Sequence, residues 1–273
     1  MARDAIPGRS LALGTTIAIV TVGVLVPLCV VALTAAGTNG QALVAMLLSA
    51  RALAAFQLTF GASLAAAVID VLAGTYVAWI LVRYEFPGRP FLNAIVDVPL
   101  ALPTAVTGIA LATLYSAHGF AGAFLEAHGL HVAYTPLGVG LALTFVGFPF
   151  VVRTVQPVLA TLPSDLEEAA ASLGAGRLGT IARVTLPLLV PSMLAGFALA
   201  LARALGEYGS VIFISGNMPL RTEIVPLLIV TRLEEYDYQG AAAIATALLL
   251  TSFALLLAVN VLQRRFTLQK SRT

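Results

Sequence analysis

The chain has 273 residues, of which 59% are hydrophobic and only 10% charged, and its mean hydropathy is +0.97. A soluble domain carries roughly 25% charged residues, so most of this surface must face lipid instead of water. Fifteen Lys and Arg against thirteen Asp and Glu are too evenly balanced for the basic face of a nucleic-acid binder.

An apolar helix of about 20 residues crosses a hydrocarbon core of about 30 Å. Six such windows are predicted in chain order, at about 11–36, 58–82, 98–117, 134–152, 186–209 and 240–262. They predict an all-α integral membrane protein with six transmembrane helices, residues 1–273 forming one membrane domain. The first window follows Arg3 and Arg9, as a secretory signal would. It exceeds the 7–15 residues, roughly, of a signal's apolar region, so it is expected to remain as an uncleaved anchor. Cys29 lies within it and reads as a small apolar filler.

Six crossings place both termini on one side. That side collects Arg3, Arg9, Arg83, Arg89, Arg153, Arg177, Arg183, Arg264, Arg265, Lys270 and Arg272, against Arg51, Arg221 and Arg232 opposite. Basic loops stay in the cytoplasm, so both termini are expected there, with about 37–54, 118–133 and 210–239 facing outward.

Ionisable residues inside the windows are costly and mark functional candidates. Asp70 is read mainly as a helix-packing residue. Asp97, beside Pro99 and Pro103, is read as the acid that opens the third helix, and Pro99, Pro103 and Pro149 as kink positions. Arg203 and Glu207 are four apart and share a helix face, either as an ion pair or as part of a polar path. His118, His128, His131 and Glu126 share one outer segment, but their spacing fits no standard zinc site, and no metal is expected. The outer stretch from Gly216 to Tyr238, with four acids and two arginines, reads as a solvated loop able to dock a partner.

The most informative segment is 161–187, TLPSDLEEAAASLGAGRLGTIARVTLP. Ser164 and Glu167 form a capping box that predicts a helix from Asp165 to Leu173. Gly174 and Gly176 end it, and a second short helix from Arg177 to Thr185 leads to Pro187. Glu168-Ala169-Ala170, three residues, Gly174, nine residues and Val184-Thr185-Leu186-Pro187 together resemble the EAA-x3-G-x9-I-x-LP signature of ABC-importer permeases, with Val184 in place of Ile. The resemblance implies a type I ABC importer permease fold whose first short helix is a cytoplasmic coupling helix, with Glu168, Ala169, Ala170, Gly174, Leu186 and Pro187 serving contact with an ATPase. In agreement, the sole lysine is Lys270. A nucleotide-binding GxxxxGK[ST] loop is therefore impossible, and any ATP must be hydrolysed by another chain.

The run Ala204-Leu205-Gly206-Glu207-Tyr208-Gly209-Ser210 through Gly216-Asn217-Met218-Pro219, together with Thr231 to Tyr238 and Leu262-Gln263-Arg264-Arg265-Phe266, is similar to T-type permease subunits of sulfate/thiosulfate importers. That resemblance implies a non-catalytic permease in the bacterial inner membrane, paired with a W-type permease or a second copy of itself. It also implies two copies of a cytoplasmic ABC ATPase that use ATP and Mg, and a periplasmic sulfate- or thiosulfate-binding protein. Arg203, Glu207, Tyr208, Gly216 and Asn217 are the candidate path or gate residues. The molybdate/tungstate permeases share the Gly-Glu-aromatic-Gly run. A different class, an ion-coupled secondary transporter relaying protons through Asp70 and Glu207, would need no docking loop. No cofactor is expected on this chain and no catalytic residue.

Overall fold

The computed structural model describes residues 9–37, 39–163 and 165–270. Ser164 of the capping box, Arg3 and Arg272 lie outside the described residues. Helices dominate throughout: α1 (Leu11–Ala36), α2 (Gly40–Leu47), α3 (Ala50–Arg83), α4 (Arg89–Ile95), α5 (Val98–Ala101), α6 (Thr104–Tyr115), α7 (Phe120–Ala127), α8 (Pro136–Thr161) and α9 (Asp165–Ser172). After these come α10 (Arg177–Leu205), α11 (Val211–Ser215), α12 (Val225–Glu234) and α13 (Tyr238–Lys270).

The core is a three-helix bundle of α3, α8 and α10. Ala67, Ala78, Leu81, Val151, Val155, Leu159, Leu189 and Leu201 are buried at its centre. In lipid, helices gain little from excluding water, so close van der Waals packing must hold them together. Small residues permit it: a β-carbon on Gly74 would come within 2.9 Å of Val151 Cβ, and one on Gly196 within 3.0 Å of Val151 Cα. Around this bundle α13 packs on α10, α12 and α1. Helix α1 lies outermost; its Ala35 is buried against Ala242 and Ala243, while most of its other side chains are exposed and face lipid in a bilayer.

Two helices outrun their predicted windows because charges that ended the apolar runs have partners. Helix α3 starts at Ala50, capped by the Ser49 side chain, and includes Arg51, whose guanidinium is held by Glu223 at 2.8 and 2.7 Å. Helix α8 continues past Arg153, which forks onto Asp97 at 2.7 and 2.6 Å and also binds Asn93 and Gln156. Asp97 is thus one half of an ion pair, and its side chain caps no helix.

The predicted third window is not continuous. Pro99 and Pro103 remove backbone donors, and Leu102, preceding a proline, is extended. Helix α6 has only 12 residues, about 18 Å of rise, and α7 follows at a 43° bend. Five helices of the described residues are long and apolar enough to cross a membrane, and the bent α6–α7 pair supplies a sixth crossing if taken as one span. The three histidines lie in the non-helical segments on either side of α7, His118 before it and His128 and His131 after it.

Candidate coupling joint and translocation path

Helix α9 forms where predicted, with Asp165, Glu167 and Glu168 in its first turn, favourable at the positive end of a helix dipole. Its end is a Schellman turn: Ala175 N–H donates to Ala170 O at 3.0 Å and Gly174 N–H to Ala171 O at 2.9 Å. The turn requires Gly174 at φ +86°, a left-handed conformation that costs other residues about 1–2 kcal/mol.

The expected second short helix does not stop at Thr185. It merges with the membrane helix through a π turn, Ile181–Thr185, in which Leu186 N–H reaches back five residues to Ile181 O. That wider turn accommodates Pro187 without ending the helix. Rigid continuity therefore runs from Arg177 into the bundle core.

The residue that ties α9 to the bundle is Glu167. Its Oε1 accepts from Arg83 Nη2 at 3.0 Å and from Thr185 Oγ at 3.2 Å, joining the last residue of α3 to the π turn of α10. Arg83 also sits 5.9 Å from the Trp79 ring centroid. Glu168 and Ala169 are exposed on the other face of α9, and Ala170 is half-buried. Leu173 and Leu178, 89% and 83% exposed, flank the turn, so this tip presents apolar side chains at the junction of α9 and α10.

Helix α10 ends at Leu205, four residues short of the predicted window, so Glu207 lies in a break between α10 and α11. Its side chain is nearly fully buried. Oε1 accepts from Ser210 N–H and Oγ, both at 2.9 Å, while Oε2 pairs with Arg203. Glu207 thereby caps the backbone that resumes at α11 and neutralises Arg203, which remains 30% exposed. The break is wedged against α6: Gly209 faces Thr104, and Gly108 faces the Ser210 backbone, each with no room for a β-carbon. Tyr208 is half-buried beside the cluster that includes Leu111 and Val139.

Beyond α11 the chain turns at Gly216 (φ +69°) and Asn217 (φ +46°). Gly216 packs on the Tyr134 ring; Asn217 N–H donates to Ser215 Oγ at 3.2 Å, and its buried Oδ1 has no protein partner. The stretch expected to be a solvated loop is interior in its middle and exposed toward both ends. Thr222, Glu223, Ile224, Val225, Leu227 and Leu228 are buried, Glu223 on Arg51 and Val225 N–H on Thr59 Oγ at 2.8 Å. Glu234, Glu235 and Tyr236 stay exposed.

Asp70 is fully buried between α3 and α8 beside Gly147, and neither carboxylate oxygen has a partner. His131 pairs with Glu126 at 3.2 Å. Among the described residues no group of three or more His, Cys, Asp or Glu is placed to hold a metal. Sequence reading missed Arg51, Glu223, Thr185 and the Arg153–Asp97 pairing. For Arg153 and Asp97 the trace in the sequence is a charge at the edge of an apolar window; Thr185 and Glu223 leave no such mark.

The family model for the binding-protein-dependent transport system inner membrane component matches residues 70–268. The chain belongs to that family. Within this transport-system family, the sulfate transport system permease protein CysT of Salmonella typhimurium is 44% identical over 264 residues, covering 97% of this chain and 95% of that one. A probable sulfate transport system permease of Nephroselmis olivacea is 53% identical over 212 residues, covering 78% and 75%. Among solved structures, a chain of a bacterial alginate ABC transporter, in complex with a pentasaccharide-bound periplasmic protein, aligns over 94% of both chains with a TM-score of 0.78 and 18% identity. A chain of the MetNI methionine ABC transporter in an inward-facing conformation aligns over 84% of this chain and 99% of its own with a TM-score of 0.59 and 14% identity. The all-α fold is that of a type I importer permease. Like the rest of the family, the chain is a multi-pass membrane permease subunit, not itself catalytic, that works in complex with other ABC transporter components.

Proposed function

We propose that the chain is the permease subunit of an ATP-driven importer that carries sulfate or thiosulfate into the cytoplasm. The observation that carries this reading is the 44% identity to a sulfate permease across 97% of the chain, a span that includes the coupling joint and the break after α10. The remaining parts of the machine follow as proposals. A W-type permease or a second copy completes the path, two cytoplasmic ATPases use ATP and Mg, a periplasmic binding protein delivers the anion, and both termini lie in the cytoplasm.

A dianion cannot enter hydrocarbon, so it needs an enclosed polar route that never opens to both sides. Closure of the ATPases would push on Glu168, Ala169 and the exposed Leu173 and Leu178 that flank the turn after α9. Glu167 would pass that movement to α3 through Arg83 and to α10 through Thr185. Helix α10 carries it to Arg203, Glu207 and Tyr208 at the break, and the adjoining turn at Gly216 and Asn217 completes the gate. With Arg203 already neutralised by Glu207, the path holds the anion weakly, and selection falls to the binding protein.

Radiolabelled sulfate uptake tests this in a bacterial strain lacking its own sulfate permeases, with the chain expressed beside its partner subunits. ATP-dependent, saturable sulfate uptake that thiosulfate competes for is expected. Uptake of molybdate in place of sulfate would overturn the substrate, and uptake that persists without the ATPase would overturn the class.

A further inference from the structure

We propose that a cavity behind the coupling helix binds a tetrahedral oxyanion of the phosphate or sulfate class. The cavity, of about 380 Å³, lies between α9, the end of α3 and the start of α10. Two guanidinium groups, Arg83 and Arg177, line it against the single carboxylate of Glu167. Arg83 spends Nη2 on Glu167 and on Leu162 O, yet its Nε is buried with no acceptor. A buried charged donor without a partner is costly, and such a group in a native fold calls for an ion or water. Arg177 is exposed at the mouth of the cavity, free to turn to an occupant, and forms no ion pair with any described residue. On the α9 side the wall is Ala171 and Ala175, which neither compete for these donors nor fill the space. Thr180 adds a hydroxyl.

Guanidinium groups bind phosphate and sulfate oxygens through paired, charge-assisted hydrogen bonds, and basic pockets between membrane helices also take lipid head groups. Both sources are open to this cavity. It meets an apolar groove at Trp79, Tyr84 and Ile181, so the oxyanion arrives free or as the phosphate of an anionic lipid. An occupant would bridge Arg83 on α3 to Arg177 at the head of α10, across the joint that Glu167 already spans.

The test is thermal unfolding of the full chain in neutral detergent, titrated with sodium sulfate, sodium phosphate, or phosphatidylglycerol mixed into the micelles. Sodium chloride at matched ionic strength and phosphatidylcholine serve as controls. A saturable rise in unfolding temperature is expected, with the half-saturating concentration raised about tenfold in Arg177→Gln, where one charged partner is lost. It should be unchanged in Arg183→Gln, an exposed arginine of the same helix outside the cavity. Stabilisation by the salts assigns a free oxyanion, and stabilisation by phosphatidylglycerol alone assigns a lipid head group. If neither ligand shifts the transition beyond its control, the Nε acceptor is water and the proposal fails. It fails equally if Arg177→Gln responds like the parent chain, since sulfate bound in the transport path would stabilise both. The assay involves no transport, so its outcome is independent of which solute crosses the membrane.

Discussion

Arg83 and Glu167, 84 positions apart, meet at 3.0 Å where the last residue of a 34-residue membrane helix touches the first turn of the coupling helix. With Thr185 on the same carboxylate oxygen, Glu167 ties α9 directly to the ends of α3 and α10. Both side chains are partly exposed, so the pair contributes about 1 kcal/mol, and its value lies in direction. Glu167→Ala is expected to lower the unfolding temperature by only a few degrees while the ATPase still co-purifies. Sulfate uptake per hydrolysed ATP should fall several-fold, and an unchanged ratio would remove Glu167 from the transmission route.

Gly174 tests docking itself. Glutamate there adds about 1–2 kcal/mol of left-handed backbone strain and places a charge beside the exposed Leu173. Gly174→Glu should leave a folded permease in the membrane that no longer retains the ATPase on affinity purification. Normal retention and uptake would contradict the docking role.

The Arg51–Glu223 fork anchors the turn before α12 to the start of α3. Glu223 is about 1% exposed and Arg51 30%, so Glu223→Ala leaves a partly buried guanidinium unpaired, at a cost of about 3 kcal/mol. Thermal unfolding in detergent should show a large loss in Glu223→Ala. The double variant Arg51→Leu/Glu223→Leu should recover most of it, because replacing both charges removes the orphaned partner.

Gly147 and Asp70 are predicted to be energetically coupled. A β-carbon at Gly147 collides with the Asp70 carboxylate, and overpacking of this kind costs about 1–3 kcal/mol. Gly147→Ala alone should destabilise, whereas Gly147→Ala with Asp70→Ala should lose less than the sum of the two single changes. Strict additivity in that cycle would show that the contact is slack.

At the break, Arg203→Ala strips the buried Glu207 of its counter-charge while Ser210 still donates to it. Uptake is expected to fall at least tenfold and Arg203→Lys to restore much of it. Undiminished uptake by assembled Arg203→Ala transporter would exclude both residues from the path.

How much of this was legible beforehand depended on the range of the interactions involved. Composition alone dictated lipid as solvent, apolar run length dictated most of the crossings, and the local pattern from Asp165 to Pro187 dictated a helix, a glycine turn and a second helix, because helix caps and turns are formed by neighbours in sequence. The tertiary structure alone decided where charges end up. Arg51 finds Glu223 across 172 positions and Arg153 finds Asp97 across 56, so helices continue through residues that look like their ends. Glu207 leaves its helix to cap the next one, and Glu167 turns to Arg83. In a membrane domain a charge must be paired or reach water, and its partner is set by which helices pack together, a relationship that no local pattern encodes.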